Sequence, residues 1–426
     1  MRHAAQAPGR VLMIVENNSY PRDPRVRREA EALAAAGYAV SVISPALPKQ
    51  ALRETLGDIS VYRYPGPPEA SGFLTYICEY AYSTAAIFVL SLWVFLSRGF
   101  DVIHTANPPD TMVFVAAFYK LFGKRFIFDH HDLAPDMYYA RFEGRGNRLV
   151  YRVLYWCEKL SCRLADHVIA TNRSYKRIEM ERHGIPEDRI TVVRNGPDPK
   201  KLRAVDPDPA LRKRAGTILA FAGITGYQNG VIALPRVLRS LVYDLGKRDV
   251  LFVIIGDGHA LPEMKKMARD FALEDYVWFT GWVDDPGAYI RYLSTADICI
   301  DPTPSCTSND ASTMIKLMEY MSLGKPVVAF DVPEGRYSAQ SAALYAKPNI
   351  EADMARAIAE LIDDPQRRQS MGRFGRNRIE TELAWSYSLP NLMEVYRRVL
   401  PGRLAQPSAA PAAPKQVLER ISGGNG

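Results

Sequence analysis

Apolar runs of strand length alternate with stretches of helical period along most of the chain. Near the start, the run RVLMIV precedes a helical pattern over residues 25–36, a stop at Gly37 and a second apolar run, YAVSVIS. This order predicts a βαβ unit. The runs DVIHT, RFIFDHH, HVIAT and ITVVRN follow, and near-continuous apolar strands are typical of a parallel sheet covered on both faces. Residues 10–196 are therefore predicted to form a doubly wound domain.

A second series of apolar runs begins near Thr217. The runs ILAFAG, LFVIIG, VWFTG, ICIDP and PVVAF predict another parallel-sheet domain over residues 217–384. Residues 197–216, rich in Pro, Asp and basic residues, are then the linker. Residues 401–426 are rich in Ala, Pro and Gly, which predicts a disordered tail. The predicted fold class is α/β, with two doubly wound parallel sheets.

Composition and charge narrow the class of partner. The 426 residues are 47% apolar and 24% charged, which suits two or three globular domains. Much of the net charge of +7 lies in residues 1–200, which carry 26 Lys and Arg against 21 Asp and Glu. This bias favours an anionic partner but does not choose among a phospholipid head group, a lipid diphosphate and nucleic acid.

The cysteines and the start of the chain point to the cytoplasm. Five cysteines without a C-x-x-C pair support neither a disulfide framework nor a zinc site. The first ten residues, MRHAAQAPGR, run into a strand and lack the long apolar region of a secretory signal. We therefore expect a protein that is not exported.

One uncharged, aromatic segment covers residues 80–96, YAYSTAAIFVLSLWVFL. Its 17 residues are at the short end of the roughly 17 to 25 that span a bilayer. Three interpretations stay open: a buried or partly buried helix, a helix that contacts the membrane interface, and a membrane span.

The stretch DASTMIKLMEYMSLGKPVVAF, residues 310–330, combines an apolar helix face with a polar one. A helix over residues 312–322 would carry Ser312, Lys316 and Glu319 on the polar face. Ser312 and Thr313 would then lie at the helix start, where backbone N–H groups attract a phosphate. Glu319 would lie about 10 Å further along the axis, near the ribose of a bound nucleotide. The alternative is an amphipathic surface helix with a capping hydroxyl and a Lys/Glu pair.

Ordered motifs across residues 10–400 resemble glycosyltransferase family 4, whose members have two Rossmann-like domains facing a cleft, the GT-B fold. The motifs are DPRVRREAEALAAAGYAVSVIS, DVIHTANPPD, FIFDHHD, ADHVIATNRS, VVRNGPD, IIGDGHALPEMKKMA, FTGWV, STADICIDPTPS and STMIKLMEYMSLGKPVV. Within that family, the chain resembles enzymes that build surface polysaccharides and O-antigens on lipid carriers. The resemblance implies retaining sugar transfer from a nucleotide diphosphate sugar, and a helix over residues 385–400 that packs back on the N-terminal domain.

The resemblance assigns the donor to the second domain. It implies that Glu319 binds the ribose hydroxyls and that Ser312 and Thr313 bind the diphosphate. The backbone at Trp282 and Val283 would bind the base. Gly223 and Gly226 would let the phosphates approach the backbone, since glycine has no side chain to obstruct them.

The chain departs from the family at two places. Ala311 stands where the family often has its first glutamate, with Asp310 one residue away. The loop ITGYQNG lacks the usual Arg and Lys that neutralise the leaving diphosphate. Because that charge must be stabilised, we expect Lys316 to supply the cation, with Arg336 as the second candidate.

The first domain should supply the acceptor side. His131 and Asp132 match the family's His-Asp position at the carboxyl end of a strand, and with Lys316 they are the predicted catalytic residues. The residues predicted to face the acceptor are Asn17, Asp23, Arg25 and Asn107. Helix capping is the alternative for Asp23. A metal site at the His-Asp cluster is the rival interpretation, but no third ligand is evident and the family needs no metal, so we expect no metal and no cofactor.

Together these features predict a retaining glycosyltransferase that uses a UDP-sugar and a lipid-linked or saccharide acceptor in surface polysaccharide synthesis. We expect no nucleic-acid partner, and a place on the cytoplasmic face of the inner membrane. Two alternatives remain: a nucleotide-sugar epimerase of the same architecture, and a non-catalytic nucleotide-sugar-binding subunit. The missing glutamate and basic pair motivate the second alternative.

Overall fold

The computed structural model describes residues 9–66, 73–141 and 146–401. The chain divides into two compact units: the part up to His104 with the residues from Arg397 onward, and residues 105–396. Almost all of the predicted tail, from residue 402 on, lies outside the described residues.

The first unit begins with the predicted βαβ order. Its elements are β1 (Arg10–Ile14), α1 (Pro24–Ala35), β2 (Ala39–Ala46), β3 (Arg53–Leu56), β4 (Ile59–Pro65) and α2 (Phe73–Ser97). The strand order is β3-β4-β2-β1. Strands β1, β2 and β4 are parallel, and Arg10 pairs with Ala39, whereas β3 runs antiparallel to β4. The unit boundary falls within the next strand, β5 (Val102–Ala106).

The second unit starts with the elements that carry the His-Asp motif. They are α3 (Met112–Lys120), β6 (Arg125–His130), α4 (Ala134–Arg141), α5 (Arg148–Leu164), β7 (His167–Ala170), α6 (Arg173–His183) and β8 (Ile190–Val192). Strands β6, β7 and β8 pair in parallel. We call these strands and helices the N-terminal layer of the second unit.

A complete second sheet follows the linker. Its elements are α7 (Pro209–Arg212), β9 (Thr217–Ala222), α8 (Ala233–Arg239), β10 (Val250–Ile255), α9 (Leu261–Asp270), β11 (Val277–Gly281), α10 (Pro286–Thr295), β12 (Ile298–Asp301), α11 (Thr307–Ala311), α12 (Ile315–Ser322), β13 (Val327–Phe330), α13 (Pro333–Ala339), β14 (Ala343–Ala346), α14 (Glu351–Asp363), α15 (Pro365–Arg378) and α16 (Trp385–Val399). The parallel order is β11-β10-β9-β12-β13-β14. The strand order reverses direction at β9, and such a switch point is where doubly wound sheets bind ligands.

Burial on both faces explains why the strands read as continuous apolar runs. All six residues of β9 are buried. Leu219 and Phe221 pack into the core on one face, and Ile218 and Ala220 pack into the core on the other. The prediction of two parallel-sheet α/β domains is confirmed.

Helix α12 is shorter than predicted. It begins at Ile315, with Met314 in extended conformation before it. Ser312 instead caps the end of the short helix α11 with an extended backbone, and its Oγ donates to the carbonyl of Ser308 at 2.8 Å. Hydroxyl side chains compete for backbone groups in this way and favour helix ends. Ser312 and Thr313 therefore form a turn between two helices, which we call the Ser312–Thr313 turn.

Helix α16 matches the helix predicted over residues 385–400. The N–H of Trp385 donates to the carbonyl of Pro197 at 3.0 Å, and Asn391 Nδ2 donates to the carbonyl of Val192 at 2.9 Å. Within the second unit, this helix therefore returns to the end of β8.

Candidate active site

The His-Asp turn after β6 is held by one buried amide. Asn107 Oδ1 accepts from the N–H groups of His131 (2.6 Å) and Asp132 (3.2 Å), and Nδ2 donates to the Asp132 carbonyl (2.7 Å) and to Asp110 (3.0 Å). Asn107 is only 1% exposed. The sequence placed Asn107 toward the acceptor, but in the structure its side chain positions the turn that carries His131 and Asp132.

The His131 ring is oriented by a carboxylate that sequence reasoning missed. Its Nε2 lies 2.5 Å from Asp129 Oδ2, and Asp129 is fully buried whereas the His131 side chain is 13% exposed. A buried carboxylate fixes the ring orientation and tautomer of its histidine. The available signal was the spacing in FDHHD, because residues two apart on a strand share a face.

Behind this turn lies a buried charged network. His130 has Glu158 at 3.6 Å and Glu179 at 3.0 Å, and Glu158 also accepts from His183 Nε2 at 2.7 Å. Burial alone would lower the pKa of His130, but the two carboxylates outweigh it and raise that pKa well above its usual value. Burial raises the pKa of Glu158, yet His130 and His183 lower it to about 2. The network ties α5 and α6 to the strand that ends in the His-Asp turn.

The Ser312–Thr313 turn contacts the N-terminal layer. Ser312 Oγ lies 3.2 Å from the Tyr175 hydroxyl, and Thr313 Oγ1 accepts from Asn172 Nδ2 at 3.0 Å. The backbone at Leu133, beside the His-Asp turn, also interacts with the Tyr175 hydroxyl and partly offsets the rise of the Tyr175 pKa that burial causes. A single side chain, Tyr175, thus links the Ser312–Thr313 turn to the His-Asp turn.

Lys316 is paired rather than solvated. Its Nζ lies 3.2 Å from Asp301 Oδ1 and 3.0 Å from Thr303 Oγ1, and it is 5.4 Å from the centre of the Phe221 ring. Asp301 ends β12 and is 2% exposed, whereas the Lys316 side chain is 12% exposed. Strand β12 and helix α12 therefore hold this cation at the carboxyl edge of the second sheet.

Glu319 lies one turn further along α12. Its Oε2 accepts from the Tyr289 hydroxyl at 2.7 Å. Burial and the neighbouring carboxylate together raise the pKa of Tyr289 well above its usual value, so Tyr289 stays a donor. The carboxylate is half-buried and is oriented by this phenol, which sequence reasoning did not identify.

The loops after β9 and β10 require glycine where they touch. Gly223 has a φ of +142°, and Gly256, with a φ of +137°, lies so close that an added Cβ would be 2.0 Å from the Gly223 carbonyl. At Gly226, by contrast, the atoms nearest to an added Cβ belong to the flexible side chain of Gln228. Gly223 thus lies in a tightly packed loop at the end of β9. In the sequence, its partner Gly256 is the first glycine of the motif GDGH.

The remaining predicted donor residues lie on separate loops of the second sheet. Trp282, just after β11, is 62% exposed and donates from Nε1 to Asp284 at 3.0 Å, while Val283 is half-buried. Arg336 binds both oxygens of Asp331, at 2.7 and 2.6 Å, and its side chain is 55% exposed. The Arg336 guanidinium is therefore engaged by Asp331 at the protein surface.

Family models match both halves of the chain. The Glycosyl transferase 4-like domain matches residues 23–196, and the Glycosyl transferases group 1 domain matches residues 216–364. The chain belongs to glycosyltransferase family 4. The resemblance noted in the sequence is confirmed, and so is transferase activity.

Named relatives and solved structures agree with this family. α-Maltose-1-phosphate synthase of Mycolicibacterium smegmatis is 27% identical over 305 residues, which cover 66% of this chain and 74% of that protein. Sucrose-phosphate synthase from Thermosynechococcus elongatus has a TM-score of 0.75 at 18% identity, covering 91% of this chain and 98% of its own. Anabaena Alr3699/HepE, solved with UDP-glucose, has a TM-score of 0.67 at 15% identity, covering 91% and 99%. These structural likenesses show the GT-B fold.

In this family 4 glycosyltransferase, three predicted acceptor residues lie in the first unit. Asn17 is exposed. Asp23 caps α1, because its Oδ1 accepts from the N–H groups of Arg25 and Val26, both at 2.9 Å. Arg25 is 3% exposed and lies 3.2 Å from Glu29. The capping alternative for Asp23 is thus observed, and Arg25 has a structural ion pair.

Helix α2 contains the uncharged aromatic segment. Residues Cys78–Ser97 are long and apolar enough to cross a membrane, and only 22% of the apolar window is buried. Val89, Trp93 and Leu96 are 64%, 41% and 83% exposed. Ile87 and Val94 on the same helix are fully buried, so α2 is partly buried, which fits the first of the three interpretations.

Four polar residues of the N-terminal layer contact the second sheet and were not selected from the sequence. They are Asn172, Ser174, Tyr175 and Arg194, whose partners are Ala311, Ser312, Thr313 and Glu334. The motifs ADHVIATNRS and VVRNGPD contain all but Tyr175, which follows the first motif directly, so the signal was polar residues at the carboxyl ends of β7 and β8.

Proposed function

We propose that this glycosyltransferase moves a sugar, with retention of configuration, from a UDP-sugar to a saccharide or lipid-linked acceptor in the cytoplasm, for surface polysaccharide synthesis. The carrying observation is the placement of Ser312, Lys316 and Glu319 along one edge of the second sheet, with Tyr175 joining Ser312 to the His131–Asp132 turn.

The donor would lie along that edge. The Glu319 carboxylate can accept hydrogen bonds from the hydroxyl groups of a ribose. The Tyr289 hydroxyl keeps this carboxylate oriented. The Ser312–Thr313 turn and the glycine loop at Gly223 would take the diphosphate, while Trp282 and Val283 would contact the base. That Anabaena Alr3699/HepE was solved with UDP-glucose supports a uridine donor.

Lys316 would stabilise the leaving group. In the transfer, the bond from the sugar C1 to the diphosphate oxygen breaks, and its electron pair leaves on that oxygen. An acceptor hydroxyl oxygen bonds to C1 from the same face and gives its proton to the departing phosphate. Negative charge therefore builds up on the diphosphate, where a preorganised cation lowers the barrier most.

His131 would contact the donor sugar and position it for attack. Asp129 fixes its ring, and Asn107 fixes its backbone. We propose that the reaction needs no metal, because Lys316 supplies positive charge where a divalent ion would otherwise act.

The lipid-linked form of the acceptor is proposed from α2. Its exposed Val89, Trp93 and Leu96 form an apolar surface in the first unit, and Arg53 lies 4.8 Å from the Trp93 ring centre. Aromatic and basic side chains together favour the interface of an anionic membrane. Replacing Val89 and Leu96 by Ser should reduce cosedimentation with anionic vesicles, whereas equal binding of variant and wild type would remove this part of the proposal.

A donor panel tests the activity. UDP- and GDP-sugars are incubated with membrane lipid extract, and nucleotide release and lipid-bound label are followed for wild type, Glu319→Ala and Lys316→Ala. Lys266→Ala and Glu274→Ala, on exposed positions of the second sheet's helices and turns, are matched controls. Loss of transfer in the first two variants alone is expected.

Two outcomes would contradict the proposal. Nucleotide binding without transfer from any sugar, while a related enzyme is active in the same extract, would indicate a non-catalytic subunit. A sugar isomer formed without acceptor would indicate an epimerase.

A further inference from the structure

The carboxylate of Glu334 is held by the N-terminal layer. Ser174 Oγ donates to Glu334 Oε1 at 2.6 Å, and Arg194 Nη2 lies 3.3 Å from Glu334 Oε2. Glu334 lies on α13 and is 4% exposed. Ser174 lies on α6, and Arg194 follows β8, so the pair joins the two sides of the candidate active site.

Arg194 is also in contact with the proposed diphosphate site. Its Nη1 lies 3.3 Å from Thr313 Oγ1, and its guanidinium carbon lies 4.5 Å from the centre of the Tyr337 ring. The side chain is 11% exposed. Stacking on Tyr337 holds the guanidinium plane while its edge points at the Ser312–Thr313 turn.

The ion pair of Arg194 is a loose one. Both polar contacts of the guanidinium measure 3.3 Å, whereas tight charge-assisted bonds measure about 2.7–2.9 Å. Arg336 on the same helix as Glu334 shows the tight form, with 2.6 and 2.7 Å to Asp331. Arg194 is therefore the cation beside the turn that an entering anion can recruit.

We propose that Arg194 binds the donor diphosphate and that Glu334 competes with the diphosphate for its guanidinium. This inference rests on the proposed function. The loop ITGYQNG carries no Arg or Lys, and Arg194 supplies that missing charge from the opposite side of the site. A guanidinium binds phosphate oxygens bidentately, and Ser174 continues to hold Glu334 when Arg194 turns away.

The competition distinguishes this role from a structural ion pair. If Glu334 competes with the diphosphate, neutralising it frees Arg194 and tightens diphosphate binding. If the pair only holds the two sides together, neutralising Glu334 weakens both folding and binding. The sign of one affinity change therefore decides between the two.

The experiment measures UDP and UMP binding by calorimetry, since UMP lacks the second phosphate. Variants are Arg194→Ala, Arg194→Lys and Glu334→Gln. Arg236→Ala is the control, because Arg236 is exposed and forms an ion pair with Glu351. Arg194→Ala should weaken UDP binding about 10-fold or more and UMP binding less than about 3-fold. Glu334→Gln should tighten UDP binding about 3-fold, and Arg194→Lys should fall between wild type and Ala. Melting temperatures show that each variant is folded.

Each contrary result has a separate meaning. Equal losses of UDP and UMP in Arg194→Ala, or weaker UDP binding in Glu334→Gln, overturn the role of Arg194 while leaving the transferase proposal intact. If wild type binds neither UDP nor GDP, the proposed donor site fails and this inference fails with it.

Discussion

Two cations beside the Ser312–Thr313 turn have carboxylate partners, and the two pairs are built differently. Lys316 and Asp301 both belong to the second sheet, on α12 and at the end of β12. Arg194 and Glu334 come from opposite sides of the site and are 140 residues apart in the sequence. A pair within one sheet keeps its geometry when the two sides move, whereas a pair across the site can be exchanged for a ligand.

The two pairs would supply positive charge to the donor diphosphate in different ways. Lys316 is preorganised, because Asp301 and Thr303 hold it at 3.2 and 3.0 Å. Preorganised charge is the more effective for stabilising a transition state. Arg194 would instead respond to the donor, coupling its binding to closure of the site.

The largest effect should come from the fixed pair. Lys316→Ala should lower turnover by about 10²–10³-fold and destabilise the protein by about 3–5 kcal/mol, because the nearly buried Asp301 is left unpaired. Adding Asp301→Asn should restore much of the stability but not the turnover. Chemical denaturation and steady-state kinetics measure the two. Turnover recovering with stability would show that Lys316 is only structural.

The next largest effect tests the ribose site on the same helix. Glu319→Ala should raise KM by about 10–100-fold, since a hydrogen bond to a charged group contributes about 1.5–3 kcal/mol. Tyr289→Phe, which removes only the orienting phenol, should raise KM by about 3–10-fold. An unchanged KM in Glu319→Ala would place the ribose elsewhere.

A pH effect should come from Asp110, a buried acid beside the His-Asp turn that is held by the Asn107 amide rather than by a fixed cation. Burial, with repulsion from Glu158, raises the pKa of Asp110 to about 7 from 3.8. The folded protein therefore keeps a proton on Asp110 that the unfolded chain loses. The contribution of this group to the free energy of unfolding is complete below about pH 4 and is lost as pH rises through 7.

Asp110→Asn removes this titration. The free energy of unfolding of the variant should therefore fall less steeply than that of the wild type between pH 5 and pH 8, by up to about 1 kcal/mol per pH unit. Melting temperatures over that range measure it. Parallel pH curves for variant and wild type would show that Asp110 keeps an ordinary pKa.

The smallest effect is expected at the exchangeable pair. Arg194→Ala should cost only about 1 kcal/mol of stability, because both polar contacts of the guanidinium are long, at 3.3 Å, and Ser174 still donates to Glu334. Denaturation of Arg194→Ala and Lys316→Ala side by side measures the contrast. Equal losses of stability in the two variants would mean that the Arg194–Glu334 pair is as firmly held as the Lys316–Asp301 pair, which would contradict the difference proposed between them.

Local pattern predicted the fold and part of the site. Continuous apolar runs identified strands such as β9 because both faces of a parallel sheet are buried. The spacing of Lys316 and Glu319 placed them near each other because three residues make almost one helical turn. The ordered motifs predicted the family, which the matches confirm.

Contacts distant in sequence were decided by the tertiary structure. No local pattern indicates that Asn107 holds residues 131 and 132, that Tyr289 orients Glu319, or that Glu334 meets Arg194. The start of α12 was mispredicted because the backbone is extended at Ser312 and at Met314, between the two helices. The sequence by itself determined which segments bury their side chains, since that depends on neighbouring residues. Which cation takes which carboxylate depends on how the segments pack, and only the folded structure decided it.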